Sequence, residues 1–209
     1  MEFAESYFAG GLYCLNFINT IDHRHHPPKY DLLPDRKTVL EWGRAQGTHP
    51  RLRRTPARPS GRAMERVRRV RAVILRILAP LAHSGVPSRA DLAALNGLLR
   101  EGSARRELAF VGGRYRLACP SDDPVDRILC EAVHSAADLL LSNRQDRIRE
   151  CPECGWMFFD SSRNGSRRWC MMSVCGNRAK ARRHYQRTRR AKGLSRRKAL
   201  PQSAVPRSE

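Results

Sequence analysis

The chain has 209 residues, with 40 Lys and Arg against 20 Asp and Glu, so its formal net charge is +20. A positive field of this size attracts phosphate-rich polymers, although it does not determine the fold. The most apolar stretch, residues 72–82, is interrupted by Arg76 and Pro80, so no segment reaches the roughly 18 apolar residues that a membrane span requires.

The first residues of the chain do not resemble an export signal. Glu2 and Glu5 stand where a secretory signal carries positive charge, and no long apolar segment follows them. We therefore expect a cytoplasmic protein without membrane contact. In a reducing compartment, the 7 cysteines favour metal binding over a disulfide framework.

Residues 1–143 are predicted to form a mainly α-helical domain with one small β-hairpin. Residues 12–20 and residues 35–46 each predict a short helix, and the Pro- and Arg-rich stretch after them predicts a loop. Residues 64–81 place apolar side chains three and four positions apart. This spacing predicts an amphipathic helix whose arginines lie on a solvated face.

Capping and turn residues predict the remaining elements of this half. Ser88 and Asp91 resemble a capping pair that opens a helix. The two glycines at 112–113 lie between short apolar runs, which predicts a hairpin with a mirror-image turn. Asp123 followed by a proline supplies an N-cap and a first-turn residue for a helix over 125–140.

Two sets of side chains in this half have the chemistry of site residues. Four polar residues near the first helix either cap it or line a ligand pocket. They are Asn16, Asn19, Thr20 and Arg24. Three isolated cysteines lie in apolar stretches and are interpreted as buried small residues rather than nucleophiles. They are Cys14, Cys119 and Cys130.

Four further cysteines fall close together and predict one structural zinc ion. They form the pairs Cys151-x2-Cys154 and Cys170-x4-Cys175. Two thiolate pairs complete a tetrahedral shell and leave no open position for a water nucleophile, so metal catalysis is disfavoured. A redox pair and an iron–sulfur cluster are the alternatives for these cysteines. We expect a hairpin-plus-helix module of treble-clef type over residues 144–192.

The charge is concentrated in this second module and its tail. From Arg144 onward the chain has 18 Lys and Arg against 5 Asp and Glu. A helix after Cys175 has almost no apolar residue and cannot be a core helix. Its charge density predicts nucleic-acid contact, and we expect the basic segment 193–209 to be disordered. The candidate contact residues are Arg163, Arg167, Arg168, Asn177, Arg178, Lys180, Arg182, Arg183, Arg187 and Arg189. Among the helix residues, Arg178, Arg182, Tyr185 and Arg189 share one face, which can offer several guanidinium groups and one aromatic ring to a groove.

The motifs of the module resemble those of bacterial CGNR zinc-finger proteins with an N-terminal ABATE domain. The resemblance rests on the strings at 151–156, 159–170 and 175–178, the last of which reads Cys-Gly-Asn-Arg. In the N-terminal half it rests on the string at 15–20, on Asp31-x-Leu33 and on Leu40-x-Trp42. The resemblance implies four cysteine ligands, a DNA-contacting zinc module and an N-terminal domain that senses a stress-related ligand.

The sequence therefore predicts a zinc-dependent protein that binds duplex DNA, joins the nucleoid when bound, and regulates transcription without catalysing a reaction. RNA is the alternative partner, because arginine-rich helices beside zinc also suit structured RNA. A second alternative is a small-molecule-binding or enzymatic N-terminal domain for which the zinc module is an accessory. The sequence names neither an effector nor an oligomeric state.

Overall fold

The computed structural model describes residues 3–22, 30–48, 60–103, 106–119 and 121–198. Arg24 and residues 199–209 of the predicted tail lie outside the described residues. The structure is about 59% helical with small sheets, which confirms the predicted fold class. The helices are α1 Tyr13–Ile18, α2 Arg36–Ala45, α3 Ser60–Ala82, α4 Arg89–Ser103, α5 Pro124–Leu141 and α6 Asn177–Lys198.

Local side-chain chemistry begins three of the helices where the sequence predicts it. The Asp35 carboxylate accepts a 2.8 Å hydrogen bond from the backbone N–H of Thr38 and caps α2. Asp123 caps α5 by accepting a 2.9 Å bond from Val125 N–H. The hydroxyl of Ser88 accepts a 3.0 Å bond from the backbone N–H three residues later and opens α4.

Three two-stranded antiparallel sheets connect the helices. They pair β1 Ile21–Asp22 with β2 Tyr30–Asp31, β3 Glu107–Val111 with β4 Arg114–Ala118, and β5 Ile148–Glu150 with β6 Met157–Phe159. Gly112 and Gly113 join β3 to β4 with φ values of 62° and 78°. Positive φ at both positions is the mirror-image turn that the sequence predicts, and glycine adopts it without strain.

The main core lies between α1, α3 and α5, with α2 and α4 packed around it. Leu15, Trp42, Ile74 and Ile128 are fully buried there. Ile148, Met157 and Phe159 of the β5–β6 hairpin belong to the same core. The sequence predicts that Trp156, Phe158, Phe159 and Trp169 form a miniature core beside the metal, but Phe159 belongs to the main core instead. The hairpin that carries the first pair of zinc ligands therefore packs against the helical half.

The predicted solvated arginine face of α3 is wrong at one position. Arg71 is only 6% exposed and points into the protein. Its guanidinium donates 2.8 and 2.6 Å bonds to the Asp31 carboxylate and a 3.0 Å bond to the Thr20 hydroxyl. A buried guanidinium is tolerated because a bidentate carboxylate satisfies it.

The last helix is longer than expected. The sequence predicts disorder from Gly193, but α6 continues to Lys198 because its residues lack an internal proline and are mostly good helix formers. Among the described residues, no helix is both long and apolar enough to cross a bilayer.

Candidate zinc centre and nucleic-acid interface

The first cysteine pair lies on the tight turn between β5 and β6. The backbone N–H of Gly155 donates a 2.8 Å bond to the carbonyl of Cys151, and the Cys151 N–H donates a 2.8 Å bond to the carbonyl of Trp156. Gly155 has φ 78°, which a residue with a Cβ rarely adopts. These bonds close the turn so that the sulfurs of Cys151 and Cys154 point to the same side.

The second pair lies at the start of α6. Cys170 ends the loop that follows β6, and Cys175 lies in a single π-helical turn, Met172–Gly176, that leads directly into α6. A Cβ at position 176 would lie 2.4 Å from the sulfur of Met172, so a larger residue there would displace the Met172 side chain. The Gly-Asn-Arg segment therefore opens the helix, as the family resemblance implies.

The four sulfurs are arranged as a tetrahedral zinc site requires. All four ligand atoms lie within 4.8 Å of one another, and the Sγ atoms of Cys154–Cys170 and of Cys170–Cys175 are 3.6 Å apart. Zn–S bonds of about 2.3 Å in a tetrahedron place sulfurs about 3.8 Å apart. The cysteines fit the metal, and the site holds a single structural zinc ion.

Without a cation these thiols do not ionise together. Hydrogen bonds from the Cys154 and Cys170 side chains lower the pKa of Cys151, whereas the pKa of Cys170 is raised by its contacts with Cys151 and Cys154. A divalent ion resolves this conflict because it stabilises all four thiolates at once.

A small apolar cluster packs around the metal site. Phe158 is fully buried and Trp156 is 8% exposed, and Trp169 packs against them as predicted. Tyr7 and Ala9 of the N-terminal segment join the same cluster, which the sequence did not indicate. The metal site therefore contacts the N-terminal segment as well as the residues around its own cysteines.

Asp160 organises the loop between β6 and Cys170. Its carboxylate accepts bonds of 2.9 Å from the N–H of Ser162, 2.6 Å from the Ser162 hydroxyl and 2.9 Å from the N–H of Arg167. Burial raises the pKa of Asp160, but these hydrogen bonds outweigh burial and hold the pKa below its usual value.

The sequence predicts Arg167 as a nucleic-acid contact, but in the structure its side chain binds partners within the protein. Its guanidinium donates to four backbone carbonyls, including those of Ala9 at 3.1 Å and Trp169 at 3.1 Å, and it stacks 4.7 Å from the ring of Phe158. Because these bonds engage the guanidinium within the protein, Arg167 holds the metal loop against the N-terminal segment. Arg163 and Arg168 on the same loop are exposed.

The described part of α6 is almost entirely exposed. All seven predicted contact residues on it are exposed: Asn177, Arg178, Lys180, Arg182, Arg183, Arg187 and Arg189. Arg182 has an internal partner, because its guanidinium donates to the carboxylate of the buried Glu153 on the metal turn. Arg178 lines a surface cavity together with Glu153 and three of the metal ligands. The face that bears Arg178 and Arg182 is thus turned toward the metal site.

The predicted ligand pocket at α1 is wrong for its three described residues, which are buried and bonded to the protein. The amide of Asn16 accepts from Gly10 N–H at 3.0 Å and donates to Gln46 at 3.2 Å. Asn19 exchanges two bonds with the backbone of Met157, and the Thr20 hydroxyl donates to the Phe17 carbonyl at 2.6 Å. Only this last bond resembles helix capping, which is the alternative that the sequence offers for these residues.

A cavity lies instead between α3, α4 and α5. It measures about 370 Å³, and its walls include Val70, Leu98, Leu129 and Val133, with two ion pairs among its charged lining residues. Two of the isolated cysteines, Cys119 and Cys130, also line it. Both are buried as predicted, and a hydrogen bond from Cys119 raises the pKa of Cys130 so that the thiol stays protonated. No local pattern reveals this cavity, because three distant helices form it.

Together these features define a zinc-finger protein with a helical N-terminal domain. The comparison with protein families agrees: residues 147–188 match the family model described as "CGNR zinc finger". Residues 11–143 match the ABATE model, described as "Putative stress-induced transcription regulator". The chain belongs to the ABATE family. The search among curated proteins gave no match.

Proposed function

We propose that this protein is a transcription regulator that binds duplex DNA through the zinc-held helix α6. The observation that carries the proposal is the position of α6. The helix begins at the turn that contains Cys175, and its residues from Asn177 to Arg187 are, apart from two alanines, basic or polar and mostly exposed. The major groove of DNA is wide enough to admit an α-helix, and the rigid metal site presents this exposed basic helix in a fixed position.

The internal contacts of α6 support the choice of one face as the DNA-contacting side. Arg182 is bonded to Glu153, and Arg178 lies one turn earlier on the same face, toward the metal. Lys180, Arg183 and Arg187 lie on the opposite side of the helix at three- and four-residue spacing. We assign this second face to the DNA and the first to docking of the helix on the zinc module.

This assignment is tested by measuring duplex binding of the zinc-loaded chain at several salt concentrations. Changing Lys180, Arg183 and Arg187 together to Gln removes three phosphate contacts, and each lost contact flattens the slope of log affinity against log salt by about 0.9. The charge-matched control changes three exposed arginines of the helical half to Gln. These are Arg62, Arg68 and Arg100.

The proposal requires weaker binding and a flatter slope in the first variant and little change in the control. Equal loss in both variants would mean that net charge alone drives binding, and it would contradict the assigned face. An RNA hairpin of equal length serves as competitor. If it displaces DNA completely at equal concentration, RNA replaces DNA as the preferred partner.

The cavity between α3, α4 and α5 supports effector binding as a second function. Its apolar walls accept a ring or chain. At its charged side Arg66 pairs with Asp126, and Arg69 pairs at 3.5 Å with the exposed Glu101, so a small organic anion would bind by replacing Glu101 as the partner of Arg69. Benzoate is a direct probe. We expect a saturable rise in melting temperature that Arg69→Glu abolishes and that exposed Arg100→Glu leaves intact. We assign both functions to binding, not to catalysis.

A further inference from the structure

The β3–β4 hairpin carries its large apolar side chains on an exposed face. The register pairs Leu108 with Leu117 and Phe110 with Tyr115, so all four side chains share one face. Their exposed fractions are 68%, 51%, 64% and 75%. The Phe110 and Tyr115 rings lie 4.9 Å apart, so the face is already ordered as a cross-strand cluster.

Nothing in the described part of the chain covers this face. The larger contacts of β3 and β4 are made only with each other. A two-stranded hairpin is marginally stable by itself, and an alternating strand pattern ordinarily buries its apolar side. On the opposite side Glu107 and Arg114 are exposed and Ala109 and Ala118 are only half-buried, so the apolar side is not compensated by packing on the other side.

We propose that this face, formed by Leu108, Phe110, Tyr115 and Leu117, docks on the same face of a second copy of the chain. The face contains no charged side chain, so it offers an anionic partner no ion pair. A two-fold axis brings two identical apolar faces together without opposing like charges at the contact.

The size of the face agrees with a weak dimer. From their exposed fractions, the four side chains offer roughly 500 Å² per chain, a large patch for a monomer. Two copies would bury roughly 1,000 Å² in total, which is near the lower limit for a specific interface. The zinc module is not among the larger contacts of the hairpin, so pairing leaves α6 free.

The test is the mass of the zinc-loaded full chain in solution, measured by light scattering over about a hundredfold range of micromolar concentrations. The mass should rise from 23.8 kDa toward twice that value as concentration increases. The variant Phe110→Thr/Tyr115→Thr keeps strand-forming residues in the hairpin. It should weaken association at least about tenfold.

The matched control is Val86→Thr/Leu141→Thr, which changes two apolar residues outside the hairpin that are each 83% exposed. It should associate as the wild type does. Zinc content and helical circular dichroism confirm that each variant is folded. A wild type that stays at 23.8 kDa throughout, or a hairpin variant that associates equally well, would overturn the proposal. DNA binding by α6 is measured separately and does not depend on the result.

Discussion

Asn19 at the end of α1 pairs with the backbone of Met157 in β6. The Asn19 amide donates a 2.7 Å bond to the Met157 carbonyl and accepts a 2.9 Å bond from the Met157 N–H. One side chain thus completes the hydrogen bonding of an edge strand that is 138 residues away in sequence. The pair joins the ABATE half to the zinc finger inside one core.

Replacing Asn19 tests this junction. Asn19→Ala leaves two buried backbone groups of Met157 without partners, and we expect a loss of about 1–3 kcal/mol in the free energy of unfolding. Urea denaturation of the zinc-loaded protein measures it. The control is Asn96→Ala at an exposed position of α4, which should change little. Equal effects at both positions would contradict the role given to Asn19.

Removing zinc should destabilise more than the finger. Ile148, Met157 and Phe159 belong to the main core. Unfolding of the β5–β6 hairpin therefore exposes buried apolar residues of the helical half to water as well. We expect a chelator or Cys170→Ser to lower the melting temperature of the helical signal by at least about 5 °C. An unchanged helical transition, with only tryptophan fluorescence affected, would show that the two halves fold independently.

Two neighbouring arginines should behave differently when each is changed to Lys. Arg167 donates to several carbonyls and stacks on Phe158, a geometry that a lysine cannot reproduce. We therefore expect Arg167→Lys to lower thermal stability and Arg163→Lys, at an exposed position, to leave it unchanged. Thermal melts at constant zinc concentration distinguish them. Equal melting temperatures would contradict the internal role of Arg167.

The stability contributed by Asp123 should depend on pH. Burial raises the pKa of Asp123, but hydrogen bonds from Arg36 and Val125 hold it below its usual value. A carboxylate with a lowered folded pKa stabilises the fold above its unfolded pKa, and this contribution disappears as pH falls through the folded pKa. Asp123→Asn should therefore cost about 2 kcal/mol at pH 7 and progressively less below about pH 4.

Denaturation of both proteins across this pH range provides the measurement. Asp35→Asn serves as the comparison. The hydrogen bond from the Thr38 backbone also lowers the pKa of Asp35, but Asp35 caps its helix from an exposed position, so its contribution should fall over the same pH range and be smaller. A difference between wild type and Asp123→Asn that stays constant from pH 7 to pH 3 would contradict the mechanism.

Local patterns were sufficient to predict the helices, the Gly112–Gly113 turn and the four metal ligands. Each depends on residues within a few positions of one another: a cap, a two-residue turn, or a cysteine spacing. The contacts that join distant segments were not predictable in this way. The charge of the α3 arginines predicts that they are solvated, although Arg71 lies four residues after Val67 and three before Ile74, on the apolar side of the helix. Only the fold brings Asp31 beside it.

The same limit explains the errors at the candidate site. Arg167 and Arg163 look alike in sequence, and only the approach of Ala9 and Phe158 separates a structural arginine from an exposed one. Asn19 is a polar residue near a helix end, and its partner in β6 has no local signal. The cavity between α3, α4 and α5 likewise arises from packing alone.

Selection from random DNA duplexes tests the central proposal most directly. The zinc-loaded protein should enrich one sequence motif near physiological salt, and Cys170→Ser and chelator-treated protein should not. This result is expected if zinc holds α6 in the geometry that reads base edges in the major groove. Zinc-dependent, salt-sensitive binding without any enriched motif would contradict sequence-specific regulation and leave only a contact with the phosphate backbone.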